Sequence, residues 1–146
     1  MNIGIICYAN FCRSPVAEKI LSQKNFNGIT FQSFGIDPMV ASNMDIRSSN
    51  FLKNKDIYDC NHMPKKIYTS DINRLDLLLC MDHQILTILN SKFPAHSKKY
   101  KIFSYTDTSI MIADPFRLDK KNYEVVMEKV YRASNLITED NLKELI

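Results

Sequence analysis

Apolar residues along this chain fall into short runs and stepped series. Runs occupy residues 2–7, 29–34, 75–81 and 100–104. In the first, Ile3, Ile5 and Ile6 are β-branched and predict a short buried strand. The second reads as a strand ended by Gly35. The third is broken only by Asp76, and its length suits a strand buried on both faces. Between the runs, apolar residues recur at three- and four-residue steps. Val16, Ala17, Ile20 and Leu21 make one helical face. Ser14 followed by Pro15 reads as its start: Ser can accept a bond from a free backbone N–H, and Pro loses nothing in a first turn. A helix is predicted over residues 45–53. Another follows Asp82 and carries Ile85, Leu86, Ile88 and Leu89. The strongest periodicity joins Tyr123, Val126, Met127, Val130, Tyr131 and Ile137 in one long helix. Strands alternating with helices predict an α/β domain: a four-stranded parallel sheet flanked by helices on both faces. Such sheets bind ligands at the carboxyl ends of their strands, so the loop after the first strand is the first candidate site.

Composition narrows the possibilities. The 146 residues suit one domain spanning 1–146, and 45% hydrophobic with 24% charged residues excludes a disordered or fibrous chain. The net charge of +3 would suit an anionic substrate, but the lysines are scattered. Lys65–Lys66, Lys98–Lys99 with Lys101, and Lys120–Lys121 are the nearest to patches, and no basic stripe interleaves with aromatics. Nucleic acid is therefore not an expected partner. No apolar run approaches the ~20 residues of a membrane span, so no membrane insertion is expected. No basic segment leads into a long apolar stretch at the N-terminus, and the expected compartment is cytoplasmic. Cys7, Cys12, Cys60 and Cys80 are then expected to be thiols, without the paired Cys-x-x-Cys spacing of structural zinc.

The chemistry concentrates in the segment from Cys7 to Pro15. Backbone N–H groups of a tight turn and of a helix N-terminus can converge on an oxyanion, and the helix dipole adds positive character. A Cys at the end of the strand sits at the base of that cradle, where the same donors favour its nucleophilic thiolate. Arg13 can grip two phosphoryl oxygens with its planar fork. Ser14 is placed to donate to the Cys7 sulfur as it leaves, and Asn10 can brace the loop backbone.

These residues carry a resemblance. Cys7-Tyr8-Ala9-Asn10-Phe11-Cys12-Arg13-Ser14-Pro15 is similar to the signature Cys-x-Gly-Asn-x-Cys-Arg-Ser-Pro of low-molecular-weight protein tyrosine phosphatases. Leu78-Leu79-Cys80-Met81-Asp82 resembles that family's third strand and its exit. Ala113-Asp114-Pro115-Phe116-Arg117 resembles its Asp-Pro-aromatic loop. The resemblance implies Cys7 as nucleophile, Arg13 as phosphate-binding residue and Asp114 as general acid. It implies that Asn10 and Ser14 hold the loop and the thiolate, and that Ser33 and His62 brace Asn10. It implies that Cys12 protects Cys7 through a reversible disulfide, making the enzyme redox-sensitive. Tyr8, Phe11 and Phe116 are expected to wall the substrate pocket, where aromatic stacking suits a phenyl ring. No metal and no cofactor are implied. The implied partner is a phosphotyrosine-bearing protein, with a bacterial tyrosine kinase as a family-level candidate.

Two positions depart from the family. Ala9 stands where it has Gly, and Phe116 where it usually has Tyr. Three other readings compete. Arsenate reduction on the same fold needs further cysteines, but Cys80 lies in a predicted buried strand with no partner in the next helix. Relatives acting on phosphoarginine carry a small Thr where this chain has Phe11. Ala9 is the one feature that favours a catalytically weak phosphate-binding module.

Overall fold

A computed structural model describes the whole chain, Met1–Ile146. The elements, in order, are β1 (Asn2–Cys7), α1 (Arg13–Ser22), β2 (Thr30–Gly35), α2 (Ile46–Asn54), α3 (Thr69–Arg74), β3 (Leu77–Cys80), α4 (His83–Lys92), a 3₁₀ segment (Pro94–Lys99), β4 (Tyr100–Ile102), α5 (Lys120–Leu136) and α6 (Glu139–Lys143). The four strands form one parallel sheet in the order β2-β1-β3-β4, the predicted architecture. No helix is long and apolar enough to cross a membrane.

Side-chain alternation along β1 and β3 separates two apolar layers. Ile3, Ile5 and Cys7, with Leu77 and Leu79, face α1, α2, α5 and α6. Ile6, Leu78 and Cys80 face the opposite way, toward α3 and α4. Both faces are covered, and for that reason β3 is fully buried and reads as an unbroken apolar run. The chain moves from β1 outward to β2, then crosses back to β3 on the other side of β1. This reversal opens a crevice at the carboxyl ends of β1 and β3. Cys7 and Asp82 stand at those two ends.

Several boundaries differ from expectation. β3 begins at Leu77, because Leu75 N–H closes α3 on Asp71 O and Asp76 ties the strand's approach to Asn2 through both backbone and carboxylate. β4 stops at Ile102, one residue before Phe103 N–H makes a last bond to Cys80 O (2.7 Å). Ile137 lies beyond α5, and Thr138 caps the short α6. The unpredicted α3 and α6 each bury a single residue, Ile72 and Leu142, so neither leaves a periodic apolar trace. Ser14 does not cap α1. The helix starts at Arg13 with Cys12 in the capping position, and the Ser14 hydroxyl is engaged elsewhere.

Gly35 is the last residue of β2 and still pairs with Cys7 inside the sheet. A Cβ there would stand 2.9 Å from both Tyr8 O and Asn10 Cβ and 3.0 Å from Asn10 N. The loop after β1 thus rests directly on Gly35, at a distance only a residue without a side chain permits. Gly35→Ala is expected to displace that loop and to destabilise the fold by ~1–3 kcal/mol, the usual cost of overpacking. Denaturant unfolding checks this, and a stability equal to that of the parent would refute the close approach.

Candidate active site

Every carbonyl from Cys7 to Cys12 is drawn to a donor outside the loop. Cys7 O accepts from Ile36 N–H (3.3 Å), Tyr8 O from Asp37 N–H (2.9 Å), Ala9 O from Met39 N–H (2.9 Å) and Phe11 O from Asp45 N–H (3.0 Å). Asn10 O accepts from His62 Nε2 (2.8 Å), and Cys12 O from the Ser48 hydroxyl (2.9 Å). The N–H groups of Tyr8 through Cys12 have no protein acceptor. A run of unpaired amides beside a helix N-terminus makes a nest suited to an anion.

Asn10 makes the turn. Its φ of 50° is left-handed, a conformation Asn tolerates better than most residues. Its side chain is fully buried. Asn10 Oδ1 accepts from Lys65 N–H (2.9 Å), while Nδ2 donates to the hydroxyls of Ser14 (2.8 Å) and Ser33 (3.0 Å). Ser33 in turn donates to the Glu18 carboxylate. The directions are therefore set by the two ends. Ser14 receives from Asn10, so its own proton points to Cys7 Sγ at 3.0 Å, where it favours the thiolate. Ser33 and His62 both reach Asn10, Ser33 at the side-chain amide and His62 at the backbone carbonyl. A carbonyl only accepts, so Nε2 carries the proton. Burial holds the His62 pKa below its ordinary value, against the Asn10 carbonyl and the charge of Glu18, and keeps the ring neutral.

Arg13 is 2% exposed. Its Nη1 is spent on Asp82 Oδ2 (2.7 Å) and Ile112 O (3.0 Å). Nε and Nη2 have no protein acceptor, which leaves one edge of the fork for two anionic oxygens. Burial works against the cation, but Cys7 and the hydrogen bond and charge of Asp82 outweigh it and raise the Arg13 pKa.

Cys7, Arg13 and Asp114 line one cavity of about 540 Å³, whose wall includes Tyr8, Phe11 and Phe116. The Phe11 and Phe116 rings meet edge to face, with centroids 6.1 Å apart. Tyr8 and Phe116 stand at the rim, 41% and 44% exposed. A second cavity of about 500 Å³ shares Tyr8, Arg13 and Asp114 and continues over Ile102, Ile110 and Ile112. Ala9 does not have a positive φ. The left-handed residue is its neighbour Asn10, so the Ala9 methyl carries no backbone strain.

Cys12 is buried behind the loop, its Sγ 3.9 Å from Asp45 Oδ2. Burial is the main cause that pushes its pKa up to about 12, and Asp45 and Cys7 add to it, so it remains a thiol. Cys80 is fully buried in the opposite apolar layer from Cys7. All four cysteines are free thiols.

Sequence reasoning missed three residues here. The sequence marks Asp82 only as the exit of the third strand and the residue before a helix; one of its oxygens does cap α4 on Ile85 N–H (2.9 Å), but the other holds Arg13. Glu18 and the carbonyl of Ile112 carried no local signal of any kind.

Comparison with known proteins bears on the family and the fold. The model of the family described as low molecular weight phosphotyrosine protein phosphatase matches residues 2–145. The low molecular weight protein-tyrosine-phosphatase Wzb of Salmonella typhi is 28% identical over 133 residues, covering 90% of this chain and 88% of that protein. The solved low molecular weight phosphotyrosine phosphatase VcLMWPTP-2 of Vibrio cholerae O395 superposes with a TM-score of 0.88 at 22% identity, covering 100% of this chain and 99% of that one. The YwlE arginine phosphatase of Geobacillus stearothermophilus has the same fold, with a TM-score of 0.88 at 23% identity over 98% of this chain and 94% of that one. A signature nest holding Cys7 and Arg13, a shared fold and a match over nearly every residue lead to one assignment: the chain belongs to the low molecular weight phosphotyrosine protein phosphatase family.

Proposed function

We propose that this chain is a protein tyrosine phosphatase that hydrolyses phosphotyrosine through a covalent intermediate on Cys7. The observation that carries the reading is the loop itself: five successive unpaired N–H groups, Tyr8 to Cys12, lie beside a thiol and one free edge of a buried Arg. The Cys7 thiolate attacks phosphorus in line, the P–O bond to the phenol breaks, and a thiophosphate forms. Protonated Asp114 gives its proton to the departing oxygen. The resulting carboxylate then takes a proton from water, whose oxygen attacks phosphorus. Phosphate leaves, Cys7 recovers its thiolate, and the Ser14 hydroxyl steadies the sulfur. Arg13 and the loop amides hold the equatorial oxygens in both steps.

The choice of phosphotyrosine rests on the cavity walls. Phe11, fixed against Phe116, and Tyr8 make an aromatic slot that suits a flat phenyl ring. A guanidinium with its own hydrogen-bonding demand gains less from such walls. The natural partner in this reading is a protein bearing phosphotyrosine.

Hydrolysis of a phosphotyrosine peptide, set beside a phosphoarginine peptide, tests the reading. Cys7→Ser should abolish turnover with the fold intact. Asp114→Asn should lower the rate on the tyrosine substrate by ~10²–10⁴, the scale of a lost general acid. Normal turnover by Cys7→Ser, or a preference for phosphoarginine, would overturn it.

The absence of strain at Ala9 gives a second expectation. Ala9→Gly should change kcat/KM for an aryl phosphate by less than about tenfold, roughly 1.4 kcal/mol in the transition state. A gain of several hundredfold would mean that the natural loop is impaired and that the chain serves to bind phosphorylated ligands.

A third concerns peroxide. An accessible thiolate is oxidised to a sulfenic acid with release of hydroxide, and a neighbouring thiol can condense with it to a disulfide and water. Cys12, a buried thiol five residues along the same loop, is the expected partner. Activity lost to peroxide should return with dithiol in the parent and stay lost in Cys12→Ser. Equal recovery in both proteins after matched exposure would exclude a protective Cys12.

A further inference from the structure

Asp114 lies in an irregular stretch between Ile112 and α5, with no helix or strand to hold it. Its carboxylate is oriented locally: Oδ1 accepts from Phe116 N–H (3.1 Å), two residues on. A second turn closes with Leu118 N–H on Pro115 O (3.0 Å). Neither bond ties the segment to the rest of the molecule. That connection comes from Arg47, in the first turn of α2. Arg47 Nη2 donates to Phe116 O (3.0 Å), and Nη1 donates to Leu118 O (2.9 Å). These two are the only hydrogen bonds between residues 114–118 and another part of the fold.

The same guanidinium is anchored on its other side. Nε and Nη2 donate to the two oxygens of Asp45, at 3.1 and 2.8 Å. Asp45 is buried, caps α2 on Arg47 N–H, and donates its own N–H to Phe11 O in the phosphate loop. Against the desolvation of its burial, the hydrogen bonds and charge of Arg47 hold the Asp45 carboxyl below the usual carboxylate range. The flat face of the guanidinium lies 4.0 Å from the ring centre of Tyr123, in the first turn of α5. Arg47 thus joins the loop of the nucleophile, through Asp45, to the loop of Asp114.

We propose that Arg47 is a positioning residue for proton donation by Asp114. The connection runs from Arg47 Nη2 to Phe116 O, through the Phe116 Cα to the N–H of the preceding peptide, and on to Asp114 Oδ1. Four bonds from one planar fork hold the carbonyls of Phe116 and Leu118 relative to Asp45 and the phosphate loop, and the N–H of the same Phe116 orients the carboxylate. A Lys at this place could balance Asp45 but could not span Asp45 and two carbonyls together. The inference rests on Asp114 as the general acid.

The test compares two substrates of unequal leaving group, phenyl phosphate and p-nitrophenyl phosphate, by kcat/KM, which reports the step that breaks the P–O bond. A poor leaving group needs the proton more. Arg47→Lys is expected to lower kcat/KM for phenyl phosphate by ~10–100-fold and for p-nitrophenyl phosphate by less than ~3-fold, since a displaced acid matters only where protonation is needed. Competitive inhibition by inorganic phosphate should stay within about threefold, because the nest and Arg13 are untouched. In an Asp114→Asn background, Arg47→Lys should add no further discrimination. Arg47→Gln, which can still reach Asp45, replaces the Lys variant if thermal unfolding shows that variant to be unfolded. An equal loss on both substrates, a parallel loss of phosphate inhibition, or unchanged rates on both would overturn the role of Arg47. If Asp114→Asn itself fails to discriminate between the leaving groups, the assignment of the acid falls, and the inference falls with it.

Discussion

The site depends on a backbone that turns its carbonyls away from the cavity and keeps its amides unpaired. Amides held in one direction without a partner in the protein need a backbone fixed by other contacts. Asn10 is where this happens. The residue takes the left-handed conformation and saturates its side chain with Lys65, Ser14 and Ser33, while its carbonyl is held by His62. An oxyanion in the proposed reading would give those amides an acceptor.

The fold supplies the rest of that constraint. The sheet order β2-β1-β3-β4 sets the ends of β1 and β3 side by side at the reversal of chain direction. Gly35 on β2 lets the loop settle onto the sheet edge without a clash. Asp82, at the exit of β3, holds one edge of Arg13 and directs the other toward the cavity. A buried Arg without such a carboxylate would lose much of what its charge contributes, because removing one partner of a buried pair leaves an uncompensated ion.

A large part of this was legible in the sequence, and for local reasons. The periodicity of β1, β3, α1 and α5 survives in the residues because each buries a face on a covered sheet. Cys7, Asn10, Arg13 and Ser14 stood out as candidates because a strand, a tight loop and a helix start follow one another within a few residues. The departures also have physical causes. Helices α3 and α6 bury one residue each, too little to leave a period. Ser14 looked like a cap because Ser before Pro usually is one, but its hydroxyl bonds Cys7 and Asn10 in preference to a backbone amide.

Local sequence by itself determined the elements that bury a full face, the alternation that builds a parallel sheet, and the candidate residues for the chemistry, since each follows from neighbours on the chain. The partners of those residues were decided by the tertiary structure alone. Asp82 lies 69 positions from Arg13, and Ile112 lies 99. Glu18 reaches the loop only through Ser33 on another strand. Arg47 meets Phe116 and Leu118 across 69 and 71 positions. No periodicity records such pairs, because a hydrogen bond between distant segments constrains where two chains cross, and that crossing exists only once the sheet has assembled and its helices have packed against it.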